Sequence, residues 1–172
     1  FGSTPATKQV FVQDHGEKLY RRSLYTIVKR TSPHPAMAAF DAPNREMCVV
    51  DRSKTNTPLQ ALVTLNDPQF AEASRVFAGS ILQDQTANDD RSRIERAFER
   101  ISSRQPTGPE VTMIAQLLDA ERARFQKSPI DAERVIAVGE YPVTHDLDPV
   151  EQAAWTQIAT LLLNLSEVLT RQ

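Results

Sequence analysis

Four prolines in this sequence each follow a residue that can cap a helix: Thr57-Pro58, Asp67-Pro68, Ser128-Pro129 and Asp148-Pro149. Proline has no backbone N–H and a fixed φ, so it suits the first turn of a helix and disrupts a later one. A Thr, Ser or Asp just before it offers a side-chain oxygen to the unsatisfied N–H groups of that first turn. Thr107 with Glu110 adds a fifth start, a capping box. Apolar residues then recur at spacings of three and four. Phe70, Ala73, Phe77 and Ile81 share one face, as do Ile94, Ala97, Phe98 and Ile101 after Asp90. Val111, Ile114, Leu117, Leu118 and Phe125 follow, then Trp155, Ile158, Leu161, Leu162, Leu165, Val168 and Leu169. This is helical periodicity, and no alternating strand pattern interrupts it. The expected fold is all-α, an irregular bundle of about six helices with a loop-rich N-terminal part. The last helix, apolar nearly all round from Leu161 to Leu165, is expected to be the most buried.

A chain of 172 residues can bury one real core and is short for two. The expectation is a single helical domain over 1–172, with a loop-rich basic segment over 1–56 and a helical bundle over 57–172. In the first part Leu19–Arg30 is compatible with a helix turning Leu24, Ile27 and Val28 inward, stopped by Pro33 and Pro35. Ala36–Phe40 suggests a helical turn and Met47–Asp51 an extended piece. The longest apolar run, Ile158–Leu165, is too short to span a bilayer, which takes ~20 residues. No signal or transit peptide opens the chain, and its first residues, Phe1 to Pro5, read as the interior of a longer polypeptide. Cys48 is the only cysteine, so no internal disulfide or thiolate cluster is expected.

Charge is uneven. The net charge is −2, yet Lys18–Lys54 holds eight Lys/Arg against three acids, a local +5 that leaves −7 elsewhere. Between Gln13 and Asp67 lies a dense polar stretch that includes Asp14, His15, Arg21, Arg22, Asp41, Arg45, Arg52, Asn56 and Gln60. Arginine forks suit carboxylate, sulfate or phosphate, and Asn and Gln suit hydroxyls. Such a mixture fits an anionic polysaccharide, with Arg21, Arg22, Arg45, Arg52, Asn56 and Gln60 as contacts. His15 with Asp14 is the acid/base pair the stretch offers. The same residue types also serve structure, pairing charges and capping helices, so that alternative stands beside the first. In the last helix Asn164 interrupts the apolar run, with Glu167 three residues on. A buried Asn needs partners, which points to a structural clasp.

Catalytic signatures are missing. His15, His34 and His145 lack metal-ligand spacing, and there is no CxxCH haem attachment, phosphate loop or nucleophile elbow. No cofactor is expected in this segment, and the segment alone is not expected to be an enzyme. A basic stretch without a recognition motif or a basic overall pI does not point to nucleic acid.

The run from Tyr20, "YRRSLYTIVKRTSPHPAMAAFDAPNREMCVVDRSKTNTPLQALVTLNDPQF", closely resembles a family of large planctomycete-type exported proteins, the planctomycete-specific domain and cytochrome c domain-containing proteins. The resemblance is to their C-terminal domain of unknown function. "RAFERISSRQPTGPE" is similar to its helix–Pro-turn–helix. "AAWTQIATLLLNLSEVLTRQ" is similar to its closing helix, where Asp is expected at the position of Ser166. The likeness runs from about Val12 over most of the chain. It implies a secreted or periplasmic location, a haem module in an upstream domain, and those upstream domains as partners. It also implies that the family's N-terminal share of this domain lies outside the sequence. The expected role is a binding or scaffolding module for an anionic glycan. The alternatives are a part of an enzyme acting on glycans or passing electrons to the haem module, and a purely structural docking domain.

Overall fold

In a computed structural model, residues 14–25, 34–43, 48, 50, 55, 57–143 and 146–169 are described. Among them there is helix and no strand. The chain divides into two compact units, Phe1–Thr55 and Asn56–Gln172.

In the first unit two short 3-10 turns, Gly16–Tyr20 and Ser23–Tyr25, precede a one-turn helix α1 (Pro35–Ala39) that begins on a proline. Over Leu19–Tyr25, the described part of the helix expected there, these two turns take the place of a continuous helix. Arg21 ends the first turn with extended backbone, φ −73° and ψ 140°. Leu24, expected inward, is 80% exposed. A short helix is stable mainly through an apolar face buried against something, and Leu24 buries little. Ile27, Val28 and the Met47–Asp51 stretch fall outside the described residues, apart from Cys48 and Val50.

The second unit follows the proline signposts. Helices α2 (Pro58–Asn66), α3 (Pro68–Leu82), α6 (Pro129–Ile136) and α7 (Pro149–Leu163) all begin on the expected proline. Asp67 and Asp148 cap α3 and α7 by accepting from the N–H groups of Gln69 and Glu151 at 2.8 and 2.9 Å. Helix α5 (Gly108–Lys127) opens on the Thr107–Glu110 capping box, where Thr107 donates its N–H (2.7 Å) and hydroxyl (2.9 Å) to the Glu110 carboxylate. Helix α4 (Asp90–Ser102) ends at Ser103, whose left-handed backbone (φ 62°) turns the chain toward α5. A final turn, α8 (Ser166–Leu169), closes the described part.

Helix α7 packs against α3, α5 and α6, while α4 lies on α5 and α2 on α3. The core joins Ile81 of α3, Ile94 and Phe98 of α4, Ile114, Leu118 and Phe125 of α5, Ile136 of α6, and Trp155, Ile158 and Leu162 of α7. Helix α7 is the central element, as expected, but its continuous buried stretch is Gln152–Thr156 rather than Leu161–Leu165. Leu161 is exposed, and Asn164 ends the helix. The inward face of α3 also differs from the expectation. Ala73 is exposed, and Glu72, Ser74 and Arg75 are buried beside Ala78 and Ile81. The charges turn inward because backbone groups of a neighbouring loop wait there. Phe125 is fully buried, so Phe125→Ala should lower unfolding stability by about 3–5 kcal/mol, read from urea denaturation followed by circular dichroism.

Candidate functional site

In the first unit, Asp14 and His15 stand exposed where the chain enters the first 3-10 turn, and Lys18, Arg21 and Arg22 follow, all exposed. The Arg22 guanidinium lies 5.8 Å from the centroid of the Tyr25 ring, within reach of the ring's negative face. Tyr20 and Tyr25 are both more than half exposed. Among the described residues, Lys18, Arg21 and Arg22 make no carboxylate pair. The result is a short strip in which cationic groups alternate with aromatic and aliphatic side chains.

Asp41 is held with positive φ (57°), and its carboxylate accepts from both the N–H (2.8 Å) and the hydroxyl (2.7 and 2.9 Å) of Thr55. Of the other expected contacts, Arg45, Arg52 and Asn56 fall outside the described residues. Gln60 belongs to the second unit and is only 3% exposed. Its side-chain oxygen accepts the Thr57 N–H at 3.4 Å, completing a capping box at the start of α2. That box places Gln60 in the helix start.

The described arginines of the second unit are committed internally. Arg122 reaches from α5 to Asp90 of α4 (2.5 and 2.9 Å) and to Glu151 of α7, which also accepts from the Trp155 indole N–H at 2.9 Å. One guanidinium thus ties three helices. These bonds hold the Asp90 carboxyl below its ordinary value and the Arg122 guanidinium above its own. Arg104, stacked 4.6 Å from the Phe98 ring centroid, grips Glu110 at 2.7 and 3.0 Å and Glu167 at 2.8 and 2.9 Å. Glu167, conspicuous in the sequence, is therefore the far end of a clasp between α8 and the α4–α5 turn. Asn164 is a clasp too, accepting from the Thr64 hydroxyl of α2 at 2.8 Å.

The sequence reading missed a third clasp. Glu72 accepts from the backbone N–H groups of Glu140 and of Tyr141 (3.0 Å). Arg75 donates to the carbonyls of Tyr141 (2.6 Å) and Pro142 (3.2 Å). Gly139 makes the approach possible. Its φ is +98°, and a Cβ there would overlap the Glu72 carboxylate. The available signal was Gly139 itself, in a chain with only five glycines. Among the described residues no group of three or more His, Cys, Asp or Glu could hold a metal ion, and no helix is long and apolar enough to cross a membrane.

The Arg104 guanidinium first, then the Thr107 N–H and hydroxyl, hold the Glu110 carboxyl at about 2, against an ordinary 4.5. A carboxyl depressed in the folded state adds stability above its unfolded pKa and loses it as pH falls through the folded one. The Glu110 contribution should therefore be full above pH 4.5 and fade toward pH 2. Urea midpoints across that window should fall more steeply for the parent chain than for Glu110→Gln.

A search of curated proteins and a search of solved structures each gave no match. A family model does match residues 2–118, from the first unit to the middle of α5. With the larger part of its length inside that match, the chain belongs to the PSD1 family, described as Protein of unknown function (DUF1553).

Proposed function

We propose that this chain is a binding and scaffolding module of an exported, cytochrome c-linked multidomain protein, and that its N-terminal basic strip takes an anionic polysaccharide. The observation that carries the ligand is the contrast between the two units. In the helical unit Arg75, Arg104 and Arg122 are consumed by carboxylates and carbonyls. In the strip, Lys18, Arg21 and Arg22 are exposed beside the exposed rings of Tyr20 and Tyr25. Guanidinium forks match carboxylate and sulfate groups, and a flat ring offers a face to a sugar. The export and the upstream haem module rest on the sequence resemblance of the runs from Tyr20 and from Ala153. On this reading the segment holds no haem of its own, and electron transfer belongs to the upstream domain.

A second reading, docking against upstream domains of the same protein, has its own support. Helix α2 is inside-out: Gln60 and Thr64 are buried, while Leu59, Leu62 and Leu65 are 57%, 55% and 48% exposed. Large outward apolar groups on one helical face mark contact surfaces.

Calorimetric titration of the whole chain with heparin, polygalacturonate and a neutral glucan tests the ligand. Saturable binding to an anionic polymer is expected. It should weaken roughly tenfold in the double variant Arg21→Ala/Arg22→Ala, as two solvent-exposed ion pairs of about 0.7 kcal/mol each would predict. The folded state should be unaffected, because both side chains are exposed. Equal binding by the double variant, or none by the parent chain, would remove the ligand from the proposal.

A further inference from the structure

We infer that the anionic glycan taken by the basic strip is the head group of a lipid, and that Leu24 and Tyr25 enter the lipid surface beneath it. The inference rests on the reading of the strip as a site for an anionic glycan, and adds the apolar half of the ligand. A soluble polysaccharide accounts for the cations and the rings. It gives no place to Leu24, which is 80% exposed.

Apolar residues of the first unit lack a core. Among its described residues none is buried, although Leu19, Leu24, Tyr25, Met37, Phe40 and Val50 belong to it. A lone exposed aliphatic side chain is ordinary on a protein surface. Here it stands next to an exposed ring, Tyr25, and two residues from a guanidinium, Arg22, which itself lies against that ring. The charge around it is one-sided. Lys18, Arg21, Arg22, Lys29 and Arg30 fall between Lys18 and Phe40, and that stretch has no Asp or Glu. Asp14 and Glu17 come just before it.

An anionic lipid surface favours this combination. Tyrosine and arginine sit at head-group level, with ring or stem toward the acyl chains and the polar end in water. An aliphatic side chain reaches further in. Binding then grows with the apolar area buried and with the attraction of cations to anionic head groups. Such a contact is peripheral and needs no spanning helix; none of the described helices is long and apolar enough to cross a membrane.

Co-sedimentation of the whole chain with phosphatidylcholine vesicles, with and without a sialic acid-bearing ganglioside, tests this. Ganglioside vesicles should carry the chain down, and plain phosphatidylcholine should not. Leu24→Ser should weaken that binding roughly tenfold, as loss of one partly buried aliphatic side chain predicts, while polygalacturonate, which has no lipid tail, is bound as before. Leu24 is exposed, so the substitution leaves the fold intact. Arg21→Ala/Arg22→Ala should weaken vesicle binding roughly 30-fold, about fivefold for each cation. Polygalacturonate bound without ganglioside vesicles would overturn this inference alone and leave the apolar groups to a protein partner. Neither bound would remove the underlying glycan reading as well. Vesicle binding unmoved by Leu24→Ser, or equal on neutral vesicles, would also overturn it.

Discussion

Burial of α7 on nearly every side is the constraint on which the helical unit depends. From Gln152 to Thr156 five consecutive residues are buried, which a helix reaches only when partners cover its whole circumference. Helices α3, α5 and α6 supply that cover. Ala153, Ala154 and Ala159 are small enough to let neighbouring backbones approach, and Trp155, Ile158 and Leu162 fill the space between. Glu151, just before this stretch, ties it in orientation, because one carboxylate receives both the Arg122 guanidinium and the Trp155 indole. Apolar area supplies the attraction, and the ionic hub selects which rotation of α7 is buried.

The other polar ties share a logic. Each joins to the bundle an element that buries little apolar surface of its own. Arg104 fastens the short α8 to the α4–α5 turn, Thr64 and Asn164 join α2 to the end of α7, and Glu72 with Arg75 holds the loop before α7. Short elements cannot be held by hydrophobic area alone, so directional bonds do it. In the helical unit these arginines serve the fold. Among the described residues Lys18, Arg21 and Arg22 make no carboxylate pair, and they stand beside exposed rings. The proposed division of labour follows: a helical scaffold and a basic strip that meets a ligand.

Helix starts were written plainly in the sequence because proline and a capping side chain act locally, whatever the tertiary surroundings. The inward faces of α4 and α5 were equally plain, since their apolar residues are the ones buried. Helix α3 was not, because Glu72 and Arg75 look like surface residues until the loop they serve is in place. Helix α2 defeated the pattern outright, burying Gln60 and Thr64 and turning its leucines out. Its polar pair is explained by Thr57, three residues before Gln60, and by Asn164, a hundred residues from Thr64 and invisible to any periodicity. Of the candidate contacts, Arg21 and Arg22 stand where a ligand could meet them, while Gln60 closes a capping box. Exposure depends on what folds over a residue, and sequence spacing does not carry that information.

The most direct test of a unit organised around α7 uses the chain's single tryptophan, which lies buried at its centre. Trp155 fluorescence and far-ultraviolet circular dichroism would be followed together through urea unfolding. One shared midpoint and slope is predicted, because the helices lose their common partner when α7 is hydrated. A Trp155 signal that shifts to that of exposed indole at lower urea, with most helix still present, would contradict the account.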